Sequence, residues 1–467
     1  MAQHEWKTTL ATTSFHLAGQ RASAHTTYIA LLGDFAASRD VGIFGSDRVD
    51  QAWGDTAAQP SNVATCIRAL MLFATTSHTI LDRSIFSLLA LYYALLHGDV
   101  GLATLARSSY TVTLNHYSHH LATTTTHNRH STSHTLMCTS VALQILELLN
   151  DTDLEGEGQL THLDGVMSML NMAGPEALRS DPNACAVFGG FRGMATFVDI
   201  DRRVPSVLAK AEWRDKPYAT TKKTTRDRLA DLGLQIPIHM QSSGDVLRSA
   251  DSDEPSHRSI VDRCLLLLND ISTLQRSLEQ WHCDLKTSVP VELSHSRNYP
   301  QANSLDIQDL ECQPTYSSSS QRMVFLSGPV AGMLSHYWAF QLELLIVRLD
   351  LQEVMLDQGT DDRDSVTLRD TIVRSWKDDK VKAAEMADMI VQTGPRLSSC
   401  IEGILGLQGP MKTLGRYYKG SLKQLWKLRG YRRHHSLLQS PSMPPHLPTL
   451  ESSDTMLSRV EIPMFIG

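Results

Sequence analysis

The chain has 467 residues, 42% of them hydrophobic and 20% charged, and Lys+Arg 43 against Asp+Glu 50 leave a net charge of -7. That length supports a large core or two closely packed halves, and the slightly acidic balance excludes a chain dominated by a basic nucleic-acid surface. The cysteines are Cys66, Cys138, Cys185, Cys264, Cys283, Cys312 and Cys400. None of them forms a closely spaced pair of the kind that places two thiolates on one ion. An odd, dispersed set also does not form a disulfide framework, so reduced and mostly buried thiols are expected, with no metal and no cofactor.

Residues 1–62 carry little periodicity and read as a leader, without the continuous apolar run of a secretory signal. Apolar periodicity starts at Val63. Ser84 to Leu96 is nearly all apolar and suits a buried helix, and Leu102 to His119 gives another at helical spacing. Ala122 to His134 is polar and β-branched, and is expected to be a loop. It belongs to a histidine-rich zone that includes His116, His119, His120, His127, His130 and His134. No acid stands among them, and a polar surface explains them more simply than a metal site.

Helices are expected over Leu136–Leu149, His162–Met172, Asn183–Phe197 and Asp201–Ala211. Residues 212–258 read as a loop region. Its basic stretch of Lys216, Lys222, Lys223, Arg226 and Arg228 is expected to be solvated. Ile260 to His282 is strongly amphipathic, with apolar residues recurring at three and four. Residues 286–322 are polar and read as a second loop, separating two halves.

Val324 to Leu356 reads as a central helix, apolar on most faces in its first part. Gly394 and Pro395 are expected to divide Val381–Val391 from Leu397–Leu405. Met411 to Tyr431 closes the patterned region, and 436–467 is a proline-containing irregular tail. No apolar run reaches the roughly 18 residues of a membrane span. Strand alternation, Rossmann and P-loop signatures are missing, so the fold class is all-α.

Three segments carry a family likeness. One is LMLFATTSHT with LALYYALLHG and Tyr110. The second runs from LMCTSVALQILELLN through His162, Leu163, Gly165, Gly174 and Pro175 to FRGMATFVDI, which includes Arg192. The third is SHYWAFQLELLIVRLDL with AAEMADMIVQTGPRLSSCIEGILGLQGPMKTLGRYYK. In order and spacing they resemble the fungal-specific transcription factor domain, the middle homology region, over residues 63–435. The resemblance implies a multi-helical regulatory domain in a nuclear protein, with the cytoplasm as the alternative. Thr161 and Val166 depart from the family pattern, and the six closely spaced cysteines of a zinc cluster are not in this sequence.

Two functions follow from that reading. The first is a transcription-regulator-like protein controlling a fungal metabolic or secondary-metabolite gene cluster. It would work through a small-molecule effector or a DNA-binding protein partner, as a homodimer in one version, with no sequence-specific DNA binding alone. The alternative is a cofactor-independent biosynthetic enzyme, a cyclase or pericyclase of the hetero-Diels–Alder type. Such chemistry needs a shaped apolar pocket for a polyketide or terpenoid substrate more than a catalytic triad.

His336, Tyr337 and Trp338, on the central helix, are the candidate pocket residues, joined by His162 at the start of its own helix. Lys412, Arg416, Lys419, Lys423 and Lys427 form the candidate basic contact strip. Its expected form is a helix docked by an aromatic face, with a solvated basic back.

Overall fold

The computed structural model describes residues 79–123, 129–150, 157–179, 181–250, 257–288, 328–358, 363–397 and 401–418, with short pieces at 66–67, 69–71, 295–297 and 322–324. Among the described residues the protein is all-α and multi-helical. The one departure is an antiparallel pair of three-residue strands, β1 (His295–Arg297) and β2 (Arg322–Val324), with Ser296 opposite Met323. The pair lies within the 286–322 region and at its edge.

The N-terminal half is built from α1 (Thr79–His97), α2 (Val100–Thr123), α3 (Arg129–Asn150) and α4 (Glu157–Ala173). α1 packs along both α2 and α3, and α3 packs along α4. α1 is rich in leucine and aromatic residues, and Ile85, Leu88, Leu89 and Leu91 are wholly enclosed. Asp82 in its first turn and His97 in its last complement the helix dipole. Of the stretch expected as loop, 122–134, Ala122 and Thr123 end α2 and Arg129 already begins α3.

α5 (Pro182–Arg202) joins the halves. Asp181 caps it by accepting from the backbone N–H of Asn183 and Ala184, at 2.9 and 3.1 Å, and Pro182 occupies the first turn. Val187, Phe188, Phe191 and Ala195 on α5 belong to the N-terminal core, while Phe197 and Ile200 belong to the C-terminal core. One helix therefore contributes apolar surface to both cores.

Most described residues of the 212–258 region are helical, which corrects the loop expected there. It holds α6 (Ala211–Asp215), α7 (Thr225–Gly233) and α8 (Ile236–Ala250). A reciprocal cap explains the start of α7. The Thr224 hydroxyl accepts from the Asp227 N–H at 3.0 Å, and the Asp227 carboxylate accepts from the Thr224 N–H at 3.0 Å.

The C-terminal half comprises α9 (His257–Ser288), α10 (Gly328–Asp357), α11 (Arg363–Leu397) and α12 (Ile401–Tyr417). α10 is central and packs against α8, α9, α11 and α12. α11 runs through Gly394 and Pro395 to Leu397 instead of breaking before them. Arg348 on α10 ties its neighbours together, donating to Asp379 on α11 at 2.9 Å and to Ser272 on α9 at 2.7 Å.

Among the described residues two segments, Ile80–His97 and Val330–Asp357, are long and apolar enough to cross a membrane by length and composition alone. This differs from the expectation based on uninterrupted apolar runs, because isolated polar residues do not lower the mean hydropathy of a helix enough. Within this fold 67% and 89% of the two segments are buried, so most of their apolar surface is already used by the cores.

Candidate functional site

His336, Tyr337 and Trp338 do not converge. Successive helical residues point about 100° apart, and the three rings of this run meet different surroundings. The His336 ring lies edge-on to Phe197 of α5, with centroids 4.8 Å apart, and its Nε2–H donates to the Gly406 carbonyl at 2.9 Å. Tyr337 stacks on Trp281 at 5.8 Å and tilts against His282 at 4.5 Å, both on α9. Trp338 is buried in the C-terminal core.

The surroundings of His336 are closely filled. Phe197 stacks on Phe340 at 5.1 Å. A Cβ on Gly233 would stand 2.5 Å from the Phe340 ring, and one on Gly409 would overlap the Phe197 ring outright. Glycine at these two positions lets the backbones of α7 and α12 approach the rings. Burial pulls the His336 imidazole down to about 4, against a smaller opposing pull from its bond to Gly406. It is therefore neutral near pH 7, a buried donor fastening α10 to α12.

His162 lies in the other half. Its backbone carbonyl accepts from the Ser140 hydroxyl at 3.1 Å, and its Nε2 is 3.4 Å from the Tyr110 hydroxyl, which donates to Glu147. Burial draws this imidazole down to about 4 as well. Its neighbour Asp164 turns away and binds Arg202 through two contacts of 2.6 and 2.9 Å. His162 and His336 thus occupy separate surroundings.

The basic strip differs from its expected form where it is described. Arg416 donates to Glu343 at 3.0 Å through Nε and to Asp201 at 2.5 Å through Nη1, and Lys412 reaches Asp201 at 3.2 Å. Glu343 is almost fully buried on α10, so these cations bind α12 to α5 and α10 instead of forming a solvated back. The helix ends at Tyr417. Lys419, Lys423 and Lys427 lie outside the described residues.

Residue-type spacing gave no sign of a charged centre around Arg192. This side chain is wholly buried on α5, yet its terminal nitrogens are engaged: Nη1 donates to the Tyr218 hydroxyl at 3.1 Å and Nη2 pairs with Asp231 on α7. The Tyr218 hydroxyl in turn donates to Asp227 at 2.8 Å. Lys223 donates to the other Asp231 oxygen at 2.8 Å and to Asp215 at 3.1 Å. The Arg192 guanidinium also lies over the Phe188 and Tyr218 rings, 5.6 Å from each centroid. Burial works against its charge, but Tyr218 and Asp231 outweigh burial and hold its pKa above the ordinary arginine value.

Lys223 and Arg226, expected as solvated linker charges, are built into this centre and its margin. Arg226 is buried, which lowers it to about 10. The Thr224–Asp227 capping box was the one local signal that this segment is ordered. The pairings of Arg192 with Tyr218 and Asp231 span 26 and 39 residues, too far for a local pattern to reveal.

The described thiols are free, with Cys66, Cys138, Cys185 and Cys264 buried and Cys283 exposed. Among the described residues no group of three or more His, Cys, Asp or Glu side chains is placed to hold a metal ion. No family model, curated protein or solved structure matches the chain.

Proposed function

We propose that this chain is a transcription-regulator-like protein, acting on a fungal metabolic or secondary-metabolite gene cluster through a partner protein or a small-molecule effector. The resemblance of residues 63–435 to the fungal middle homology region supports the reading. The observation that carries it is the role of α5, which supplies apolar residues to two cores and charged anchors to both sides. Arg202 binds Asp164 on α4 in the N-terminal half, and Asp201 binds Lys412 and Arg416 on α12 in the C-terminal half. A rigid element fixed in both halves is suited to carrying a change at one surface to another, which regulation requires. The candidate rings of the enzyme alternative point to separate surroundings, so no specific contact favours that second reading.

Direct sequence reading of DNA is not part of the proposal. Phosphate contacts position a protein, while base-edge contacts specify sequence. Lys412 and Arg416 already have carboxylate partners. The full chain is expected to bind duplex DNA only through salt-sensitive, sequence-independent contacts, most of which alanine at Lys419, Lys423 and Lys427 removes. The deciding experiment combines imaging, chromatin occupancy and transcript profiling of a tagged native strain and a deletion strain. Nuclear protein, occupancy at promoters and altered transcripts of one gene cluster are expected. Cytoplasmic protein with unchanged transcripts on deletion would overturn the proposal.

A further inference from the structure

A polar stripe lies inside the N-terminal half. Ser140, Gln144 and Glu147 stand at i, i+4 and i+7 on α3, and so share one face of that helix. Both ends of the stripe have partners on neighbouring helices. Ser140 donates to the His162 carbonyl of α4, and Glu147 accepts from the Tyr110 hydroxyl of α2. The register of α2 against α3 is antiparallel: Arg107 meets Asn150 at 2.9 Å, Tyr110 meets Glu147, and Tyr117 reaches the Leu136 carbonyl at 3.4 Å. That register places the buried Thr113 level with Gln144, while the hydroxyl of Thr113 is spent on the Ser109 carbonyl at 2.8 Å.

Gln144 is the exception in the stripe. It is wholly buried, and among the described residues neither its Oε1 nor its Nε2 has a hydrogen-bond partner. A buried amide left unpaired costs folding free energy that an apolar side chain of the same size would not. It stands between two polar contacts, on the same helix face, at a junction of three helices. Each of these observations concerns the same place and favours a group that meets its partner from outside the chain.

We propose that Gln144 is the recognition group of a small-molecule site between α2, α3 and α4, which takes a neutral ligand bearing an amide edge: a carboxamide, lactam or imide. The chemistry of the lining selects that class. A glutamine amide presents a donor and an acceptor side by side, and an amide edge returns an acceptor and a donor at matching spacing. A carboxylate ligand offers acceptors alone and would bring a second negative charge towards Glu147. A purely apolar ligand would leave the Gln144 amide unpaired. His162, held neutral by burial, supplies no cation to offset a bound anion. The inference does not rest on the regulatory reading, because binding is measured on the purified chain; under that reading the site would receive the effector.

The test uses the full chain, as wild type and as Gln144→Met, with benzamide and 2-pyridone as amide probes. Benzoate and toluene are the charged and apolar controls. Calorimetry and ligand-observed NMR should show both amide probes binding the wild type and neither control doing so. Gln144→Met should weaken probe binding by about tenfold or more while raising the melting temperature of the unliganded chain by about 1–3 °C. Failure of both amide probes to bind up to their solubility limit would overturn the proposal, as would equal binding to wild type and variant. So would a variant that melts below the wild type, since the amide would then already be satisfied within the fold, by ordered water for example. Gln144→Leu is the second variant, and misfolding of both would count against the site in the same way.

Discussion

Arg192 and Gln144 are both enclosed polar side chains on long helices, and they differ in what surrounds them. Around Arg192 the chain supplies Tyr218 and Lys223 ahead of α7, Asp227 and Asp231 on it, and the faces of Tyr218 and of Phe188 on α5, so that both terminal guanidinium nitrogens are paired and Nε alone has no partner among the described residues. Around Gln144 it supplies polar neighbours, but they are bonded to one another or to backbone. Enclosure alone therefore does not define a structural role. A buried polar group bonded and charge-paired within the chain fastens the fold, while one with no such bond is a cost that a ligand can remove.

The largest effect expected on this contrast is at the charged centre. Arg192→Met would remove the buried cation that Asp231 and the Tyr218 hydroxyl share, leaving Asp231 with Lys223 alone. Removing one member of a buried ionic group costs about 3–5 kcal/mol, so urea unfolding should show a large fall in midpoint or failure to fold. A loss near that of a surface pair, about 0–1 kcal/mol, would mean that the centre is wetter and looser than its contacts imply.

The aromatic seam comes next. Gly409→Ala forces a methyl group into the Phe197 ring, and overpacking of this kind costs about 1–3 kcal/mol or more. Phe197→Leu in the same chain should recover part of the loss, because the two residues share one contact. Additive losses in the double variant would show that the seam relaxes independently of the glycine.

Acidification should separate the seam from its surroundings with a smaller effect. His162, His282 and His336 are each drawn down to about 4 by burial, from an ordinary value of 6.5. Below 6.5 the unfolded chain takes up these protons and the folded chain does not, so their contribution is present above pH 6.5 and is lost as pH falls towards 4. Asp199 opposes this, because burial raises it to about 6 and its contribution is lost as pH rises through that value. Burial also lowers His239 and raises Asp350, so four imidazoles stand against two carboxyls, and the melting temperature should fall between pH 7 and pH 5. His336→Gln, which keeps a donor for the Gly406 carbonyl, should reduce that fall, and Asp199→Asn should deepen it. A melting temperature independent of pH over this range would contradict the burial assigned to the three rings.

The helical architecture was legible in the sequence because it rests on local periodicity. The leucine-rich stretch of α1, the three-and-four spacing of α9 and the apolar start of α10 each announce a helix. The order of 212–258 was hidden by its composition. Its threonines, lysines and arginines resemble a linker, and only Thr224 with Asp227 marks a helix start. Proline misled in the opposite direction, since Pro395 stands near the end of α11 and Pro410 within α12.

The site was less legible than the fold. His336, Tyr337 and Trp338 adjoin in sequence and diverge around the helix. Arg192, Tyr218 and Asp231 converge from separate elements. Gln144 carried a signal that could have been read: a glutamine at full apolar depth in α3, one turn from Ser140 and three residues from Glu147.

The most direct measurement is equilibrium urea unfolding of the wild-type chain, Arg192→Met and Gln144→Met under identical conditions without added ligand. The account predicts opposite signs: a large loss for Arg192→Met and a small gain, about 1 kcal/mol, for Gln144→Met. Loss of stability in both variants would contradict it, since the two buried polar groups would then serve the fold in the same way.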